Sequence, residues 1–294
     1  MTAPLLQLEG VHTHIGAYHI LHGVDLDVPA GQVTMLLGRN GAGKTTLLRT
    51  IMGLWAASSG EVRFDGRPIG GKAARCSTPD IARLGIAYVP ESMGIFADLT
   101  VRENLLLAAR AARSVEQMDT VRLEWLFGLF PALKKFWLYP AGKLSGGQKQ
   151  MLSVARAMVE ERRALLIDEP SKGLAPAIVQ NLIAALRELK RTRTTVLLVE
   201  QNFGVATALG DQVAVMDNGR VVHRGAMAEL ADDVSLQHRF LGLSLGAHRC
   251  SRAVALPHPN PLPQAGEGAM PARARRDSLP LPRAGEGVRP ARTQ

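Results

Sequence analysis

Gly38-Arg39-Asn40-Gly41-Ala42-Gly43-Lys44-Thr45, with Thr46 behind it, is the stretch from which the rest of the chain is read. It fits the phosphate-loop pattern G-x-x-x-x-G-K-[ST]. The context is the one that pattern needs: an apolar run, Val33–Leu37, precedes it and a helical pattern from Lys44 to Met52 follows. Glycines let successive backbone N–H groups turn inward around anionic oxygens, and the helix start adds partial positive charge. Lys44 brings a compact cation to the β- and γ-phosphates of ATP, and the Thr45 hydroxyl is an expected ligand of Mg²⁺. A strand-to-helix turn of no consequence is the bland alternative. It does not account for every fixed position falling in the right context.

A phosphate loop calls for a carboxylate delivered from the end of another strand. Ala164-Leu-Leu-Ile-Asp168-Glu169 offers two. Asp168 is expected to hold Mg²⁺ through its water shell. Glu169, one residue on, points elsewhere and is the expected base for the attacking water, a role that contributes about 10²–10⁴-fold. An Asp-Glu-Pro turn is the structural alternative.

Around these motifs, strand-sized apolar runs alternate with helical patterns. Ile86–Val89 leads to Val101–Ala112, and Ala164–Ile167 leads to a helix over Ala177–Lys190. The strand Thr195–Val199 and a helix from near Phe203 come next. This alternation predicts an α/β fold with a mostly parallel sheet covered by helices. Short strands near Leu5–His12, Val24–Val28 and Glu61–Phe64 predict an antiparallel patch, and residues 91–159 read as a helical lobe. The predicted nucleotide-binding domain is 1–243.

Residues 244–294 differ in composition. They hold eight of the 17 prolines, and Pro261-Leu-Pro-Gln-Ala-Gly-Glu-Gly268 recurs as Pro280-Leu-Pro-Arg-Ala-Gly-Glu-Gly287. The stretch reads as a Pro/Gly/Arg-rich disordered extension, with a tether to anionic lipid or nucleic acid as the alternative. With eight arginines and three acids, it carries more than half of the net charge of +9. The body is therefore only mildly basic, and no nucleic-acid partner is expected. Cys76 and Cys250 have no ligand spacing and read as free thiols. No apolar run approaches the roughly 18 residues of a membrane span, and no signal peptide is seen.

Leu144-Ser145-Gly146-Gly147-Gln148 lies between the two phosphate-site motifs, with Ser145 placed 23 residues before Asp168. It opens a helix whose Met151, Ala155 and Met158 are spaced as a buried face. In this order and spacing the three motifs resemble those of ABC ATPases over about residues 5–243. The resemblance implies the P-loop NTPase ABC cassette, with a RecA-like core sheet. It also implies that Ser145, Gly146, Gly147 and Gln148 are shown to the ATP of an opposing cassette. More narrowly, Tyr88-Val-Pro-Glu-Ser92, Phe96-Ala-Asp-Leu-Thr-Val-Arg-Glu-Asn104, Lys172-Gly-Leu-Ala-Pro176 and Leu198-Val-Glu-Gln-Asn202 resemble the second ATPase subunit of branched-chain amino-acid importers. That subfamily includes importers of urea and short amides. The implied partners are a related cassette (a heterodimer, with a homodimer as the alternative), permease subunits and an extracytoplasmic binding protein. The implied location is peripheral, at the cytoplasmic face of the inner membrane.

Several positions depart from the general ABC pattern. Glu91 stands where a glutamine usually links the metal site to the lobe; a carboxylate there can contact Mg²⁺ but adds negative charge. Gln201 replaces the switch histidine and hydrogen-bonds a γ-phosphate without carrying a charge. Ala175 replaces an aspartate. Ile15 occupies the adenine-stacking position, and Tyr18 is the nearest ring. His12, His14, His19 and His22 crowd one segment, either as solvated or mutually satisfied side chains or as a metal site. Phe130, Phe136, Trp137 and Tyr139 read as lobe core or as a contact surface, and Ser92–Leu99 as a docking segment. The rival functions are a soluble ABC ATPase of translation or DNA repair and a nucleotide-binding regulator without turnover.

Overall fold

A computed structural model describes residues 4–72, 74 and 76–241. The 244–294 extension and Cys250 lie outside these residues.

Two sheets organise the described residues. The first is antiparallel and joins β1 (Pro4–Ile15) to β2 (Tyr18–Pro29) by a tight hairpin. β4 (Ala57–Phe64) and β5 (Arg67–Gly71) complete it in the order β2-β1-β4-β5. The second has six strands: β3 (Val33–Gly38), β6 (Ile86–Val89), β7 (Ala164–Asp168), β8 (Thr195–Val199), β9 (Gln212–Asp217) and β10 (Arg220–Ala226). Their order is β10-β9-β3-β8-β7-β6. Only β10 runs antiparallel to its neighbour.

β7 and β8 are buried along their whole length, as their unbroken apolar sequences require of central parallel strands. Alternation then divides their side chains between two cores. Met35, Leu37, Leu165, Ile167 and Leu198 face one layer. That layer holds α3 (Val101–Ala108), α4 (Thr120–Leu129), α6 (Gly146–Met158), α7 (Pro176–Arg191) and α8 (Phe203–Leu209). Leu36, Leu166, Leu197 and Val199 face the other way, onto α1 (Lys44–Ile51) and the antiparallel sheet. The other α-helices of the described residues are α2 (Thr78–Arg83), α5 (Pro131–Lys135), α9 (Met227–Asp232) and α10 (Val234–Leu241).

Register sets up the site. Leu36 of β3 and Asp168 of β7 both lie opposite Val199 of β8. β7 and β8 therefore end level while β3 runs two residues further, to Gly38, and the loops that follow them leave from one edge, the carboxyl edge where ligands bind in open α/β sheets.

The structure also departs from the sequence reading. β1 and β2 run longer than the short strands expected, and β5, β9 and β10 were not expected. Two dipeptides mark the missed hairpins, Asp65-Gly66 and Asn218-Gly219. Both residues of each pair have positive φ (53° and 72°; 44° and 72°), the pattern of a two-residue type I′ turn. The helix expected to reach Ala112 stops at Ala108, because Ala109 leaves helical geometry at ψ 94°. Met151, Ala155 and Met158 are buried on α6 as their spacing predicts. Among the described residues no helix is long and apolar enough to cross a membrane.

Candidate nucleotide site

α1 is preceded by its N-cap Gly43, whose φ of 100° is left-handed and which has no side chain to cap the first turn. The helix thus starts with unsatisfied N–H groups and a partial positive charge, the chemistry an anion fits. Lys44 is 4% exposed, and its Nζ donates to the carbonyls of Gly38 (2.9 Å) and Arg39 (3.0 Å). An ammonium has three donors, so one is left for a phosphate oxygen. Burial pulls the Lys44 pKa down, and Glu169 and Asp168 push back.

Asp168 is fully buried at the end of β7. It accepts from the Thr45 hydroxyl (3.2 Å) and from the Tyr88 hydroxyl (3.3 Å). Burial raises its pKa despite both donors. Tyr88 is pushed up to about 12, by burial first and by the Asp168 charge second. A hydroxyl and a carboxylate oxygen side by side at the edge of the phosphate loop form a hard, all-oxygen donor pair, which suits Mg²⁺.

Glu169 has φ 47°, a left-handed backbone costing a non-glycine residue on the order of 1 kcal/mol. Its N–H donates to the Val199 carbonyl at 2.9 Å, which pins the turn to the neighbouring strand. The carboxylate accepts from Gln201 Nε2 at 2.5 Å and stands 3.8 Å from Lys44 Nζ and 3.5 Å from Lys172 Nζ. Lys172 in turn meets Glu91 at 2.5 Å. Lys44, Thr45, Asp168, Glu169, Gln201 and Glu91 are therefore brought into one connected cluster, Glu91 through Lys172.

Other expected residues stand apart from it. Ser145 caps α6: its Oγ accepts from the Gln148 N–H at 3.3 Å while Gln148 Oε1 accepts from the Ser145 N–H at 2.9 Å. This reciprocal box fixes Ser145, Gly146, Gly147 and Gln148 as a second helix start. Ser145 and Gly146 are exposed, and no hydrogen bond or ion pair among the described residues joins these four to the Lys44 cluster. Tyr18, at the β1–β2 turn, is 76% exposed. His12 and His14 stack on His19 and His22 lies tilted against it, with His12 Nδ1 and His19 Nε2 3.0 Å apart. Among the described residues, no group of three or more His, Cys, Asp or Glu is arranged to hold a metal.

Four supporting residues were not anticipated. Tyr88 and Lys172 touch the acids directly. Glu200, 2% exposed, accepts from the Ser171 N–H (3.0 Å) and hydroxyl (2.7 Å) and from the Gln201 N–H (3.2 Å). It ties the loop behind Glu169 to the loop carrying Gln201, and burial raises its pKa. Gly219 donates to the Ala42 carbonyl (3.0 Å) and accepts from the His22 N–H (2.9 Å), bracing the phosphate loop against β2. The Asn-Gly turn signal marks Gly219 in the sequence; the other three depend on contacts between distant segments.

Comparisons with known proteins agree with this geometry. The ABC transporter family profile matches residues 21–172. The high-affinity branched-chain amino acid transport ATP-binding protein BraG of Pseudomonas aeruginosa is 38% identical over 238 residues, 81% of this chain and all of that protein. The probable branched-chain amino acid transport ATP-binding protein LivF of Archaeoglobus fulgidus is 36% identical, covering 76% of this chain and 93% of its own. The ADP conformation of an ATP-binding cassette of an ABC transporter superposes with a TM-score of 0.65 at 28% identity, covering 79% of this chain and 94% of that one. With the phosphate loop, the strand-end acids and the capped Ser-Gly-Gly helix in place, this chain belongs to the ABC transporter family, as an ATP-binding cassette that hydrolyses ATP to drive transport.

Proposed function

We propose that the chain is the motor subunit of an importer for branched-chain or other hydrophobic amino acids, with urea and short amides as the alternative cargo. The cargo reading rests on the relatives' names and on the matching stretches of sequence. The convergence of Lys44, Thr45, Asp168, Glu169 and Gln201 at one sheet edge carries the hydrolytic part.

The loop Gly38–Thr46 wraps the phosphates, and the remaining donor of Lys44 meets the β- and γ-oxygens. Thr45 and Asp168 would hold Mg²⁺, with Glu91 as a further acid for its waters. When bound, the ion neutralises charge on the phosphoryl oxygens. Glu169 takes the proton of the attacking water, and Gln201 orients that carboxylate and hydrogen-bonds the γ-phosphate. Ser145, Gly146, Gly147 and Gln148 present their helix start to the ATP of a second, related cassette. Tyr18 is the nearest ring for the adenine.

Residues 1–243 form the cassette, with 91–159 as its lobe, and 244–294 lie outside the motor. The assembly sits at the cytoplasmic face of the inner membrane, docked on permease subunits that receive cargo from an extracytoplasmic binding protein. The deciding experiment is turnover of the reconstituted complex with Glu169→Gln. Loss of about 10²–10⁴-fold with ATP binding retained is expected. A wild-type complex that binds ATP without turning it over is instead a regulator.

A further inference from the structure

Three carboxylates, those of Glu91, Asp168 and Glu169, gather where a polyanion is to bind, and Lys44 is inside the phosphate loop. A further cation, Lys172, lies in the loop between β7 and α7. Its Nζ lies 2.5 Å from Glu91 Oε1 and 3.5 Å from Glu169 Oε2. The hydrogen bond to Glu91, followed by the charge of Glu169, raises the Lys172 pKa, so it is a full cation at neutral pH.

Local structure puts it there. The Lys172 N–H donates to the Glu169 carbonyl at 3.2 Å, closing a turn that returns the side chain over the carboxylate three residues back. Glu91 belongs to a different segment. It follows β6 and leads to Met93, whose carbonyl accepts from Ser153 of α6 at 2.5 Å, and to Gly94, whose carbonyl accepts from Arg156 of the same helix. Lys172 therefore joins the loop that carries the base to a loop fastened to α6.

We propose that Lys172 is a positioning residue of the hydrolytic site: it holds the Glu169 carboxylate in place and neutralises Glu91. This rests on the reading of Glu169 as the base. Glu91 and Lys172 are 43% and 57% exposed, and exposed ion pairs add little to stability. The contribution of the pair lies in the orientation of Glu169, which is 9% exposed, and in the local potential felt by phosphate. Without Lys172, Glu91 is an unpaired negative charge beside the phosphates, and Glu169 keeps only Gln201 and Lys44.

The test uses the full chain. Turnover is measured in the reconstituted transport complex. Affinity for a fluorescent, non-hydrolysable ATP analogue is measured on the purified subunit with and without Mg²⁺, and melting is followed alongside. Lys172→Gln is expected to lower kcat by up to about 100-fold, the scale of a misplaced catalytic group. It should also weaken analogue binding severalfold in both conditions and leave the melting temperature unchanged. Glu91→Gln combined with Lys172→Gln should bring analogue binding back to within about twofold of wild type, with kcat still low. Lys172→Arg should recover most of both. Lys172→Gln matching wild type in kcat and affinity, or a double variant that binds worse than either single one, overturns the proposal. So does a large drop in melting temperature, which marks a merely structural lysine. If Glu169→Gln keeps full turnover, the reading of the base fails; if Glu169→Gln is dead and Lys172→Gln is normal, only the role of Lys172 fails.

Discussion

Replacing Gly219 by alanine isolates the contribution of one turn to the phosphate loop. Gly219 and Gly66 both close type I′ hairpins with φ 72°, so alanine meets the same backbone penalty at each, about 1–2 kcal/mol for a left-handed L-residue. Their surroundings differ. A Cβ on Gly66 meets nothing within 4 Å, whereas one on Gly219 falls 2.0 Å from the Ile20 carbonyl oxygen and 2.6 Å from His22 Cδ2. Since such contacts do not fall below 3.0 Å, the turn must retreat by about 1 Å. That retreat strains the hydrogen bonds to Ala42 (3.0 Å) and from His22 (2.9 Å), each contributing about 0.5–1.5 kcal/mol. Gly219→Ala is therefore expected to cost about 2–5 kcal/mol and Gly66→Ala about 1–2 kcal/mol. At roughly 2–4 °C per kcal/mol for a domain of this size, the difference of about 1–3 kcal/mol should separate the two midpoints by about 2–12 °C. Thermal melting reads the stability, and titration with the ATP analogue reads the site. Only Gly219→Ala should weaken binding, because only it frees the Ala42 carbonyl. Equal melting temperatures with unchanged affinity in both variants would show that the hairpin does not brace the loop.

Three further outcomes follow from the same contacts. Burial raises the Glu200 pKa above its ordinary 4.5; the protonated form is favoured in the fold, so this group's contribution is fully present below that value and is lost as pH rises through the raised one. Denaturant titrations of wild type and Glu200→Gln from pH 4.5 to 8 should show wild type losing ground to the variant as pH rises, and the opposite slope would refute the assignment. Phe130 is fully buried while Tyr139 is 43% exposed. Phe130→Ala should accordingly destabilise the fold by about 3–5 kcal/mol, and Tyr139→Ala by less than about 0.5 kcal/mol, as read by urea unfolding. Removal of residues 245–294 should leave ATP turnover and assembly with the permease intact; loss of either gives the extension a role.

Local chemistry made the phosphate loop, the Asp168-Glu169 pair and the helix start at Ser145 legible in the sequence, since each is a contiguous run that can be read without its tertiary partners. The parallel character of the sheet was legible too, because central strands need unbroken apolar runs. Tertiary structure decided the remainder. The order β10-β9-β3-β8-β7-β6 and the register of β3, β7 and β8 follow from long-range pairing. That shared carboxyl edge brings Thr45 to Asp168 across 123 positions and Lys172 to Glu91 across 81. A side chain's sequence neighbours set its backbone conformation, but its charge partners are set by which strands pair and where each one stops. For that reason Glu91 reads along the chain as an excess negative charge beside the phosphates, and in the fold as one half of an ion pair.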